Sequence, residues 1–199
     1  MKLYDNAVSA NAYRARLMLS LLGLKAELKP VDLAQGEQRQ DWFLKLNPRG
    51  QVPVLDDKGA VIWDSMAIIV YLARRYGGER WLPSDAAGLA EVMQWLAVME
   101  NEGLYGLGRA RAIVRFGLPG ALEQAQALGK RCLAVLETRL NQHDWLALGR
   151  FTVADVGCFP SAALAEEGQI ALDPYPAVRR WIERVKQQPG YVTLPEPGA

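Results

Sequence analysis

Asn47-Pro48-Arg49-Gly50-Gln51-Val52-Pro53-Val54-Leu55 packs two turn signals against a strand, and Asp64-Ser65 follows after one more short strand. Asn-Pro and Arg-Gly force the chain to reverse. Val52 and Val54-Leu55 have strand character, but Pro53 between them cannot donate a ladder hydrogen bond. A proline that interrupts a strand start beside a tight turn fits a cis peptide bond. The backbone N–H and C=O of Val52 are then expected to stay unpaired, as an antiparallel docking edge for another peptide. Asp64-Ser65 opens a helix, whose first amides favour anions. A peptide edge next to an anion-binding helix start points to capture of a small acidic peptide.

The rest of the first half extends this pattern. Lys2-Leu3-Tyr4 is a brief strand. Ala10 to Leu22 is helical, with Ala15, Met18, Leu19 and Leu22 on one face and Gly23 as its stop. Glu27 to Val31 is a second strand, and a parallel βαβ unit is the natural connection. Gln35 to Leu46 reads as a short, irregular helix. Val52 to Asp56 and Val61 to Trp63 flank Asp57-Lys58-Gly59 as a hairpin, and Asp64 to Arg75 closes the unit as a helix.

Beyond the breaker-rich Gly77-Gly78 and Trp81-Leu82-Pro83-Ser84-Asp85, the periodicity is helical throughout. Leu89, Val92, Met93, Leu96 and Met99 share one face of a long helix; Leu122, Ala125, Leu128, Cys132, Leu136 and Leu140 mark another. Thr152-x-x-Asp155 is a capping box, and Tyr175-Pro176-Ala177 introduces a helix running to Lys186. Past Pro189 the tail reads as coil. The fold class is therefore α/β plus all-α, in two domains, 1–78 and 86–199.

Composition narrows the function. A net charge of +1 in 199 residues, with no basic runs interleaved with aromatics, disfavours nucleic acid. No apolar segment approaches the roughly 20 residues that span a bilayer. The start carries no basic-apolar leader, so a cytoplasmic location is expected. One histidine and two distant cysteines, Cys132 and Cys158, offer neither a zinc site nor a dithiol, and no metal is expected.

Residues 1 to about 76 resemble the thioredoxin-like glutathione-binding domain of the soluble glutathione transferases. The matching pieces are Met1-Lys2-Leu3-Tyr4, Ser9-Ala10-Asn11-Ala12-Tyr13-Arg14, Gly36-Glu37-Gln38, the segment Asn47 to Leu55, and Asp64-Ser65-Met66-Ala67-Ile68. The remainder resembles the family's helical domain, with Phe151-Thr152-Val153-Ala154-Asp155 as its signature. The likeness is to a bacterial, serine-type member.

That resemblance implies roles. Ser9 would donate its hydroxyl to the sulfur of glutathione, unless it is simply a helix cap. Asn11 would be a second sulfur donor, or a first-turn asparagine, and which of the two is the main donor is left open. Tyr4 and Tyr13 read better as packing residues. Gln38 and Gln51 match positions that contact the glycine end of glutathione, often as His or Lys in similar transferases. Val52 and Pro53 would present the peptide edge, Asp64 would meet the γ-glutamyl ammonium, and Ser65 the γ-glutamyl carboxylate. Met66 stands where relatives carry arginine. Tyr105 and Arg109, with Ile113 and Phe116, would border the second substrate, while Thr152 and Asp155 are structural. The resemblance implies an enzyme that uses glutathione as co-substrate against a small hydrophobic electrophile, in detoxification, as a homodimer. Disulfide reduction, peroxidase or isomerase chemistry would use the same thiolate. From another class, a non-catalytic transferase-like module that binds a protein is the rival reading.

Overall fold

The computed structural model describes residues 1–194. Two compact units emerge, Met1–Gly77 joined by the tail from Pro189, and Gly78–Gln188.

In the first unit the strands are Lys2–Asp5 (β1), Glu27–Pro30 (β2), Val54–Asp57 (β3) and Ala60–Trp63 (β4), ordered β2-β1-β3-β4. β1 and β2 are parallel, as the βαβ reading requires, with Leu3 opposite Leu28; β1–β3 and β3–β4 are antiparallel. Ala10–Leu21 (α1) supplies the crossover, and Ser65–Leu72 (α3) returns across the sheet after β4. The β3 strand begins at Val54, two residues later than the expected Val52, so Val52 and Pro53 stay in the loop. The irregular helix expected over Gln35 to Leu46 resolves into a 3₁₀ turn, Glu37–Arg39, and a single turn of α-helix, Asp41–Leu44 (α2). Its Phe43 packs with Val31, Val52 and Val54 in a core that Tyr4 and Leu46 flank.

The tail departs from the expectation that it belongs with the helical domain. Gly190, at φ +88°, lies so close to α1 that a Cβ there would come within 2.8 Å of the Ser20 carbonyl oxygen. The Tyr13 hydroxyl donates to the Val192 carbonyl at 2.7 Å. Residues 195–199 of the expected second domain lie outside the described residues.

The second unit contains Ala86–Val98 (α4), Arg109–Phe116 (α5), Leu122–Leu140 (α6), Val153–Ala163 (α7) and Pro176–Lys186 (α8). Between α4 and α5 the chain continues as a ten-residue π-helical stretch, Met99–Gly108. Gly106 there meets Gly129 of α6 backbone to backbone; a Cβ on Gly106 would fall 2.3 Å from the Gly129 nitrogen. Val92, Leu96 and Met99 are buried as the periodicity requires, but Met93 is 45% exposed. α7 starts with the capping box read in the sequence: Thr152 caps, and the fully buried Asp155 reaches back to the Thr152 N–H at 2.9 Å. Asp155 also accepts from the Leu146 N–H at 3.1 Å and the Trp181 indole at 2.9 Å, tying three segments together. Burial outweighs these donors and pushes its carboxyl up to about 6. Among the described residues no helix is long and apolar enough to cross a membrane.

Candidate functional site

A small cleft in the first unit is lined by Asn11 from α1, by Asn47, Arg49, Gln51, Val52 and Pro53 from the loop before β3, and by Asp64 and Ser65 where α3 begins. The loop owes its shape to Asn47, which is 2% exposed. Its Nδ2 donates to the Gln51 carbonyl at 2.7 Å, and its Oδ1 accepts from the Arg49 N–H at 3.0 Å. Gly50 sits at φ +60°, and a Cβ there would lie 3.0 Å from the Gln38 carbonyl oxygen, so only glycine suits both constraints. The Val52–Pro53 bond is cis, as the sequence suggested. With β3 starting at Val54, the Val52 backbone has no hydrogen-bond partner among the described residues.

Asp64 adopts φ +74°, ψ 128°, a strained conformation for a residue with a side chain. Its Oδ1 caps α3 by accepting from the Met66 N–H at 2.9 Å, while Oδ2 pairs with Arg49 at 3.1 Å. Strain of this kind, of order 1–3 kcal/mol, persists where surrounding structure holds it and clusters at ligand sites. Ser65 is 4% exposed and accepts a hydrogen bond from the Arg14 guanidinium at 2.6 Å.

Ser9 is the N-cap of α1, its Oγ accepting from the Ala12 N–H at 3.2 Å. It does not line the cleft; Asn11 does. Gln38 is also outside the lining, and its Oε1 is buried with no partner among the described residues. Tyr4 packs edge-on against Phe43, and Tyr13 is buried with its hydroxyl engaged by the tail. Burial drives the Tyr13 pKa far above the usual phenol value, so Tyr13 does not serve as an acid here.

One residue escaped the sequence reading. Arg14 is 2% exposed and lies beneath the cleft, bonded to Asn11 and Ser65. The local sequence offers little hint, since α1 carries a second arginine, Arg16, two residues on. Together the groups offer donors at Asn11 and Ser65, a carboxylate at Asp64, and a free backbone edge at Val52. Such a set suits a zwitterionic peptide with an anionic side chain.

In the second unit Tyr105 is 62% exposed within the π-helical stretch, and Arg109 donates to the Pro119 carbonyl. A broad depression along α8 is lined by Arg179, Arg180 and Arg184, of which Arg179 and Arg184 are already paired with Asp173 and Asp144. It carries none of the chemistry of the first cleft. Cys132 and Cys158 are buried and unbridged; burial pushes the Cys132 thiol up to about 12, which leaves it inert at neutral pH.

The family model for the glutathione S-transferase N-terminal domain matches residues 1–74, and that for the C-terminal domain matches 120–189. The chain is 34% identical to glutathione S-transferase D7 of Anopheles gambiae, over 92% of this chain and 86% of the relative. It is 33% identical to the maleylacetoacetate isomerase of Pseudomonas aeruginosa, covering 96% and 93%. The crystal structure of a glutathione S-transferase from Pseudomonas fluorescens superimposes with a TM-score of 0.92 over 98% of both chains, at 31% identity. This chain belongs to the soluble glutathione transferase superfamily and carries both of its domains.

Proposed function

We propose that the protein is a glutathione transferase that binds glutathione in the cleft of its first unit and activates it as a thiolate. The observation that carries this reading is the convergence of Asn11, Val52, Asp64 and Ser65 on one cleft, from segments spread over more than fifty positions. Val52 offers N–H and C=O to the cysteinyl backbone. Asp64 meets the γ-glutamyl ammonium, Ser65 its carboxylate, and Gln51 the glycine end. The Asn11 amide donates to sulfur, close to the N-terminus of α1 that Ser9 caps.

A free thiol has a pKa near 8.5, and such surroundings lower it into the range of roughly 3.5–7.5. Glutathione then loses its proton to solvent, and the sulfur lone pair forms a bond to an electrophilic carbon. The leaving group departs with its bonding pair, or a strained ring opens. The protein contributes position and fixed donors and forms no covalent intermediate of its own. Reversible addition of the same thiolate would serve an isomerase, a second reading that the likeness to maleylacetoacetate isomerase favours.

A cytoplasmic homodimer acting in detoxification is part of this proposal. Exposed Trp63 on the edge strand of the first unit and Met93 on α4 are apolar surface that a symmetric contact would cover. Light scattering giving a stable 22.0 kDa species at micromolar concentration would dismiss the dimer. Retention on glutathione-agarose, a glutathione-dependent rise in melting temperature, and conjugation of a haloarene test the activity. A folded protein that flows through the resin with no thermal shift would instead be a binding module.

A further inference from the structure

We propose that Arg14 is a positioning residue that fixes the hydrogen-bond polarity of the cleft, turning Asn11 and Ser65 into donors toward the bound ligand. The proposal rests on the glutathione reading for the ligand's identity but not for the polarity itself.

The argument begins with what a guanidinium can do. It has five N–H donors and no acceptor. Arg14 Nη1 lies 2.9 Å from Asn11 Oδ1 and 2.6 Å from Ser65 Oγ, so its two hydrogens are directed one to each. An asparagine side chain is otherwise ambiguous, since its oxygen and nitrogen can exchange places by a half-turn. Here the half-turn would set an amide N–H₂ against a guanidinium N–H₂, donor against donor, at a site where Arg14 is 2% exposed. Asn11 therefore gives its oxygen to Arg14 and keeps its N–H₂ for the cleft that it lines. Ser65 accepts from Arg14 with one lone pair, which releases its own proton to point elsewhere.

The same nitrogen thus orients two side chains that line one cleft, one three residues away in sequence and the other fifty-one. Its positive charge, withdrawn from solvent, also raises the potential beneath both donors. Arg14 reaches the sulfur through Asn11, and the carboxylate through Ser65.

The test has an arm without ligand and an arm with it. In the ligand-free protein, nitrogen-15 NMR should show Arg14 guanidinium hydrogens that exchange slowly with water, and Asn11→Ala or Ser65→Ala should accelerate that exchange. Rapid exchange in the parent would overturn the proposal, whatever the protein binds. With glutathione bound, Arg14→Met should raise the thiol pKa and lower kcat/KM at neutral pH by about tenfold or more. Combined with Asn11→Ala, it should add less than about a further factor of two, because residues acting as one unit are non-additive. A folded Arg14→Met variant that titrates as the parent, or full additivity in the double variant, would refute the coupling. Asn11→Asp covers the case in which Arg14→Met does not fold. Aspartate keeps an oxygen on Arg14 but places an acceptor in the cleft, so the thiol pKa should rise at least as far as in Asn11→Ala. A parent-like titration in Asn11→Asp would show that the amide donor was not the operative group. A parent that shows slow Arg14 exchange yet fails to bind glutathione would remove the ligand assignment and leave the polarity standing.

Discussion

Ser9 and Asn11 stand two residues apart, and the structure separates them. The Ser9 hydroxyl accepts from the Ala12 N–H at 3.2 Å as the cap of α1, whereas Asn11 lines the cleft with its oxygen held by Arg14 at 2.9 Å. Ser9→Ala should therefore act chiefly on stability, by about 1 kcal/mol for a lost cap. Asn11→Ala removes a donor from an anion. Hydrogen bonds to charged groups are worth about 1.5–3 kcal/mol, and one pKa unit corresponds to 1.36 kcal/mol. The bound thiol should accordingly titrate about one to two units higher in Asn11→Ala, and turnover at neutral pH should fall about ten- to a hundredfold where thiolate formation limits the rate. Retention on glutathione-agarose should survive in both variants, because Val52, Asp64 and Ser65 hold the peptide. The decisive assay is the ultraviolet thiolate absorbance of each enzyme–glutathione complex across pH, paired with urea unfolding. If Ser9→Ala moved the titration further than Asn11→Ala, the sulfur would lie at the helix cap and the present ordering of the donors would be wrong.

Asp155→Ala should cost roughly 3–5 kcal/mol in urea unfolding, since it strands the Leu146, Thr152 and Trp181 N–H donors in a fully buried site; a loss under about 1 kcal/mol would contradict the assigned network. Its carboxyl is raised from an unfolded value of 3.8 to about 6. The folded state thus holds this proton more tightly, and the resulting stabilisation is full below about pH 4 and lost as pH rises through about 6. The difference in stability between parent and Asp155→Asn should carry that slope, and a flat difference would mean that Asp155 does not titrate there. Gly106→Ala would place a methyl 2.3 Å from the Gly129 nitrogen, so calorimetry should show a loss of about 1–3 kcal/mol or more; an unchanged melting temperature would refute the backbone contact.

What the sequence disclosed depended on how far each signal reaches along the chain. The Asn-Pro/Arg-Gly turn, the Asp64 cap and the Thr152–Asp155 box announce themselves because donor and acceptor lie within four residues, and residue type there nearly dictates the partner. The parallel β1–β2 pair and the β3–β4 hairpin needed only handedness and alternation, whereas the placing of β3 beside β1 came from the structure. A helical stripe of apolar residues does not reveal how wide the buried arc is within one chain; Met93, at 45% exposure, sits beyond its edge. The tail was misassigned for a different reason. Gly190 and Val192 carry no local pattern, and only their meeting with Ser20 and Tyr13 places them beside α1. Arg14 is the most consequential case. An arginine on a helix ordinarily reads as a solvated residue, and nothing local says that Ser65, fifty-one positions on, will receive its hydrogen. Yet this contact decides whether Asn11 and Ser65 meet a ligand as donors or acceptors. A motif can thus name the residues that line a site while a distant partner determines what those residues offer, and reading chemistry from the motif alone assumes that partner without stating it.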